Sequence, residues 1–179
     1  MITPVFIDAS SAILLFKADL FIPCTQAYHL IMARKVFQEV RIKGYPGAQF
    51  FGTMKTQNKV QVQTPGKMTF PIPLKGMGEQ QTLALYHQQT GTPSGAFVIM
   101  DDGKGAKCCR HQNIPYINAL LVPKILWYSR RMDEKMYLEK QTALIELGRY
   151  SQTIIEKAKA LSHEDLAYFI PNEKNHHPL

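Results

Sequence analysis

Cysteine is scarce in this 179-residue chain, with three residues of which two are adjacent at Cys108 and Cys109. That count gives no even disulfide framework, and no C-x-x-C pair is present to seed a metal knuckle. CCRH does set His111 beside two thiols. Neighbouring side chains on a helix point in different directions, however, and no second ligand pair exists elsewhere, so buried thiols in a reducing compartment are a simpler account than zinc. Long apolar runs are missing too. Asp8 interrupts the stretch from Val5 to Phe16 and no basic leader precedes it, which argues against a signal peptide or membrane span and for a cytoplasmic protein. Acid is short relative to base: 14 Asp and Glu stand against 21 Lys and Arg, a formal charge of +7, with a pI near 9.3. Such a balance favours polyanionic partners through counterion release. GKGAK lacks the spacing of a Walker loop and reads as a turn into a helix.

What is present is ordinary globular material, 45% apolar and 20% charged, enough for one domain with a helical appendage. PVFIDA is a short apolar run with a polar stop, the pattern of a buried parallel strand ending at its carboxyl edge. Ser10 and Ser11 can cap the segment that follows, whose Ile13, Leu14, Phe16 and Leu20 fit a helix with a buried face. A short helix around Cys24 to Tyr28 leads to HLIMA as a strand and RKVFQEVR as a helix. Residues 44–73, rich in Gly and Pro, read as an inserted β excursion in which KVQVQ and TPGKMTF form a hairpin turning at Pro65 and Gly66.

From Met77 the alternation resumes. GEQQTLALYHQQ is a helix, AFVIM a strand, KGAKCCRHQ a helix, PYIN a short strand, and ALLVPKILWYS a helix that admits Pro123 only near its first turn. Strands alternating with helices imply a parallel sheet. Beyond Arg131, the three- and four-residue steps of Leu138, Leu144, Leu147, Tyr150, Ile154, Ala158 and Leu161 predict one long amphipathic helix from Asp133 to Leu161. Its apolar stripe suits a homodimer interface. Ser162 with Asp165 is a capping-box pattern for a last short helix. Residues 171–179, ending in NEKNHHPL, read as a frayed polar tail, a simpler account of His176 and His177 than metal binding.

The chemistry rests on acids spread along the chain: Asp8 after VFI, Glu39 in VFQEV, Glu79 in GMGEQ, and Asp101 after AFVIM, with Asp102 beside it. Hard divalent ions want oxygen ligands, and phosphodiester cleavage needs several carboxylates converging from distant segments. A lone Asp at a strand end is more often a cap; the ordered set is what points to a site. Lys104, Lys107 and Arg110 recur on one face of the helix after Asp101, either as a solvated face or as a clamp on a substrate backbone. Trp127 and Tyr128 read as core or interface, with nucleobase stacking the lesser option.

Taken in order, strand-D-A-S, V-F-Q-E-V, G-M-G-E-Q-Q-T-L-A-L, V-I-M-D-D-G-K-G-A-K and I-P-Y-I-N-A-L-L-V-P-K-I-L resemble the PIN-domain ribonucleases, nearest the branch of VapC-like toxins. The resemblance covers about residues 3–126. It implies a nuclease domain over 1–126 built as a three-layer α/β/α sandwich on a mainly parallel sheet; the helical extension over 127–170 lies outside it and rests on periodicity alone. It also implies acids gathered at the carboxyl edge of that sheet. Carried over by position, Asp8, Glu39, Glu79 and Asp101 match the four acids, Ser10 matches a small hydroxyl near the metal, and Asp102 assists Asp101. The implied activity is Mg²⁺- or Mn²⁺-dependent hydrolysis of RNA, with Asp8, Glu79, Asp101 and Asp102 as ligands and a small antitoxin protein as partner. Segment 44–73 departs from the family by replacing its usual helical connection. The alternative is a catalytically silent module of the same fold that binds RNA or a partner protein; action on structured DNA ranks last.

Overall fold

The computed structural model describes residues 2–45, 47–66, 76–89 and 95–171. Five parallel strands form one sheet in the order β3-β2-β1-β4-β5: β1 (Pro4–Ile7), β2 (His29–Ala33), β3 (Val60–Gln63), β4 (Phe97–Ile99) and β5 (Tyr116–Ile117). The central strands are near-continuous apolar runs because helices cover both faces of a parallel sheet. Every residue of β1 and β4 is buried, with Val5 opposite Leu30 on one side and Phe97 on the other. β3 alternates, VQVQ with only Val60 buried, as suits an edge.

Helices fill the connections: α1 (Ala9–Lys17), α2 (Phe21–Ala27), α3 (Arg34–Val40), α4 (Ala48–Thr56), α5 (Met77–Gln88), α6 (Gly103–His111) and α7 (Val122–Tyr128). The expected α/β/α architecture is therefore present. A 3₁₀ turn at Ala119–Leu121 precedes α7, so Pro123 falls in the first turn, where its missing N–H leaves no bond unmade.

Residues 44–66 differ from the expected all-β excursion, although KVQVQ does form a strand. They hold α4, and β3 then pairs parallel with β2, Leu30 opposite Val60. Aromatic packing drives this outcome: Phe50 and Phe51 meet Phe16 and Phe21 at centroid distances of 4.9 to 5.8 Å. Gly47 opens α4 at φ +85°, and a Cβ there would stand 2.9 Å from the Phe16 ring, so both backbone conformation and space call for glycine. The turn expected at Pro65 and Gly66 runs into residues 67–75, outside the described ones.

The long helix expected from Asp133 to Leu161 is two helices, α8 (Glu134–Leu147) and α9 (Gln152–Ala160), followed by α10 (His163–Leu166). Gly148 leaves the helix with ψ 164° and Ser151 caps α9. The apolar stripe accordingly divides: Leu144 and Ala158 are buried, whereas Leu138, Leu147 and Ile154 are exposed. Ser162 and Asp165 do form a capping box, with bonds of 3.2 and 2.8 Å.

These helices are stitched to the sheet domain rather than appended to it. α7 runs through the boundary expected at 126, and its Trp127 stacks between Tyr128 and Tyr137 at 4.8 and 4.9 Å. Buried Lys124 donates through Nζ to the carbonyls of Ala158 (3.1 Å) and Lys159 (2.7 Å), a cation placed on the carbonyl end of α9 where the helix dipole favours it. Tyr28 Oη donates to the Phe169 carbonyl at 2.6 Å, and the Phe169 ring meets Phe97 at 5.1 Å. The expected frayed tail, with His176 and His177, lies outside the described residues apart from Pro171. Among the described residues no helix is long and apolar enough to cross a membrane.

Candidate functional site

The sheet's order reverses between β1 and β4: the chain leaves β1 toward β2 and β3, then returns to build β4 and β5 on the other side. Open α/β sheets bind ligands in the crevice at the carboxyl ends of such strands. Asp8 and Asp101 flank it.

Asp8 follows β1 directly, and its backbone N–H extends the ladder to the Ile99 carbonyl at 3.2 Å. With extended backbone (φ −82°, ψ 171°) it is the N-cap of α1, Oδ1 accepting from the Ser11 N–H at 2.7 Å. Its other oxygen accepts from the Asp102 N–H, at 3.4 Å. Asp101 stands two residues past β4 and is better supplied. Oδ2 accepts from Ser11 Oγ at 2.7 Å and from the Ala119 N–H at 2.9 Å, and Oδ1 accepts from Tyr150 Oη at 2.5 Å. Ser11 thus joins the two acids, its amide on one and its hydroxyl on the other. Ser10, the expected hydroxyl, is exposed on the next helical position instead. The helix turns about 100° per residue, so only the third residue after the cap faces back over it.

Among the described residues no basic side chain offsets either carboxylate. Burial raises Asp8 from 3.8 to about 7, the Asp101 charge adds to that, and the hydrogen bonds from Ser11 and Asp102 oppose it. Asp101 is raised by burial as well, against its bonds from Tyr150, Ser11 and Ala119. The Tyr150 hydroxyl is pushed up strongly by burial and by Asp101, so it keeps its proton and donates.

A second acidic pair lies on the β2 side. Glu39 is in the last turn of α3 and Glu79 in the first turn of α5, where the dipole favours a carboxylate. The GMGE motif explains how they fit. A Cβ on Gly76 would overlap the Glu79 carboxylate, and one on Gly78 would stand 2.9 Å from Glu39 Oε2. The Lys35 N–H at the start of α3 donates to Gln81 Oε1 at 3.0 Å, holding the two helices in register. Burial and then Glu79 raise Glu39, with Lys35 opposing. Glu79 Oε2 is buried with no hydrogen-bond partner among the described residues, an arrangement that costs about 1–3 kcal/mol unless something meets it.

The expected single convergence is therefore two pairs, Asp8 with Asp101 and Glu39 with Glu79. Among the described residues no three His, Cys, Asp or Glu side chains come together closely enough to hold an ion. Asp102 faces its own helix, capping α6 through Oδ1 with the N–H groups of Lys104 (2.9 Å) and Gly105 (2.7 Å). Lys104, Lys107 and Arg110 are exposed along α6, and Arg110 Nη1 donates to Tyr116 Oη at 2.8 Å.

Sequence reasoning missed Ser11, Tyr150, Gly76, Gly78 and Gln81. Ser11 had a local signal, three residues after a helix-capping Asp. Tyr150 had none, since it reaches Asp101 across 49 residues of chain. In chemical terms, the oxygen donors suit a hard divalent cation. Asp8 Oδ2 and Glu79 Oε2 are the atoms left poorly satisfied, while Asp101 would have to exchange a protein donor to take part. Compared with family models, curated proteins and solved structures, the chain matches none.

Proposed function

We propose that this chain is a Mg²⁺- or Mn²⁺-dependent endoribonuclease whose site is the carboxyl end of the sheet around Asp8 and Asp101. The observation that carries this reading is electrostatic. Four acids that follow the carboxyl ends of β1, β2, β3 and β4 form two like-charged pairs, Asp8 buried and the other three half-buried, with only Lys35 among the described residues opposing either pair, in a chain of net charge +7. Such pairs are relieved by a proton or by a metal ion.

Asp8 and Asp101 would hold the ion, with Glu79 contributing Oε2 directly or through water. A bound divalent ion would neutralise charge on the phosphodiester oxygens and make an attacking water more acidic. Glu39 would orient that water through its carboxylate. Asp8, raised to about 7, must lose its proton to serve as a ligand, so activity rises with pH through that range. Lys104, Lys107 and Arg110, exposed on the helix that Asp102 caps, would steady the RNA backbone as charges, without reading sequence. A small antitoxin or a second copy of the chain would find exposed apolar side chains at Met136, Leu138 and Leu147 on α8.

One observation favours a second reading, a silent module that binds RNA or a partner. Asp8 and Asp102 each cap a helix and Asp101 accepts three hydrogen bonds, so all three have structural work without any ion. Cleavage of labelled single-stranded and transfer RNAs in Mn²⁺, Mg²⁺ or EDTA separates the two. The ribonuclease reading expects metal-dependent cleavage lost in Asp8→Asn, Asp101→Asn and Glu79→Gln, the last of which caps no helix through its side chain. Binding without cleavage under all three conditions would leave the silent module.

A further inference from the structure

We infer that the groove between α3 and α4 is a binding site for the phosphate backbone of single-stranded RNA. It is an open cleft of about 780 Å³, lined by Phe37, Arg41 and Lys55 with the carboxamides of Gln49, Gln57 and Asn58, and no acid is among the described residues that line it. Arg41 follows the last residue of α3, and Lys55 lies in the last turn of α4. Both cations converge on one ring: the Arg41 guanidinium carbon is 5.2 Å from the Phe37 centroid and Lys55 Nζ is 5.3 Å from it. The two charges are therefore no further apart than the sum of those distances, close enough for one ligand to meet both.

Placement at a helix C-terminus accounts for each cation singly. It does not account for two of them on one ring with no counter-charge. Among the described residues the ion pairs involve Lys140 and its neighbours, not Arg41 or Lys55. The ring is 7% exposed, so its role is to hold the cations by cation–π attraction rather than to stack a base. Gly52 leaves α4 bare beside the guanidinium, whose Nε would lie 3.5 Å from a Cβ there.

The ligand this suits is a chain of phosphates. A guanidinium grips two phosphate oxygens at once, an ammonium adds a point charge, and the carboxamides donate N–H groups. Phe37 and Gly52 apart, the described residues that line the groove are polar or charged and offer little to anchor an apolar peptide side chain. The choice of RNA rests on the ribonuclease reading; the anion site does not.

The test is binding of a fluorescein-labelled single-stranded RNA by fluorescence anisotropy in EDTA across a salt series. The Arg41→Gln/Lys55→Gln double variant removes both charges and keeps a shorter polar side chain at each position. The matched control is Lys135→Gln/Lys157→Gln, two exposed lysines on α8 and α9. The expected result is a slope of log Kd against log salt lower by about 1.4 in the groove variant, at about 0.7 per lost phosphate contact, and unchanged in the control. Equal losses in both variants, or none in either, would overturn the site, as would poly-glutamate displacing the RNA as well as unlabelled RNA does. A thermal melt of each variant confirms that a lost slope is not lost folding. Because binding is read in chelator, intact groove binding in a protein that never cleaves overturns the ribonuclease reading alone, and cleavage with no groove effect overturns the groove alone.

Discussion

Replacing Asp8 by Asn should make the protein more stable at neutral and alkaline pH and should change little in acid. Asp8 is 1% exposed, and Asn is as good a helix cap, so its Oδ1 keeps the bond from the Ser11 N–H. What the substitution removes is a charge that faces Asp101, the thiol of Cys109 and the hydroxyl of Tyr150, with no cation among them. Because the folded-state value is raised from 3.8 to about 7, the folded protein binds a proton that the unfolded chain has released. Stability contributed by this group is therefore fully present below about pH 4, falls as pH rises, and levels off above about pH 7. At 1.36 kcal/mol per unit the whole fall is about 4 kcal/mol, of which about 3 lies between about pH 5 and pH 8. Urea unfolding of both proteins in EDTA at those two pH values measures it directly. The stability of Asp8→Asn minus that of the parent should grow by about 3 kcal/mol from the lower to the higher pH. A difference that stays constant would refute the argument that Asp8 is buried as an uncompensated charge. Under the ribonuclease proposal, Mn²⁺ at the higher pH should stabilise the parent and leave the variant unchanged.

Two further substitutions probe how the C-terminal helices meet the sheet. Tyr150→Phe removes the hydroxyl that donates to Asp101 at 2.5 Å; with a charged acceptor the loss should be about 1.5–3 kcal/mol, read as a melting temperature lower by roughly 3–12 °C for a chain of this size. An unchanged melting temperature would mean that Asp101 is held by Ser11 and Ala119 alone. Lys124→Met keeps the buried stem but leaves the Ala158 and Lys159 carbonyls without their donor, a loss of about 1–3 kcal/mol. Limited proteolysis should then cut first in the link between α8 and α9, around Arg149, and at the parental rate if Lys124 is not the clasp.

The sheet was legible because its strands are short apolar runs that stop at polar residues. PVFI, LIMA and FVI are buried on both faces, and no other environment suits such runs between amphipathic helices. Helix ends were legible where a capping side chain marks them, as at Ser162 with Asp165. The helix within residues 44–66 was missed because the region's Gly and Pro resemble the punctuation of a β excursion. The helix there is decided by Phe50 and Phe51 finding Phe16 and Phe21, partners more than twenty-five residues earlier. The break at Gly148 was equally hidden. Periodicity in Leu144, Leu147 and Tyr150 runs straight across it, yet the Tyr150 ring lies against Gly148 so closely that a Cβ there would overlap it, and its hydroxyl is committed to Asp101.

By itself the sequence determined the layered α/β class, the positions of most strands and helices, and the acids that follow the strand ends, since these depend on period and on nearest neighbours in the chain. Only the tertiary structure decided that the acids pair as Asp8 with Asp101 and Glu39 with Glu79, that Ser11 rather than Ser10 links the first pair, and that Tyr150 covers Asp101. A carboxylate's partners are set by which segments the parallel crossovers bring side by side, and its ionisation by how far those segments exclude water. Both are properties of distance in space, which spacing along the chain does not encode.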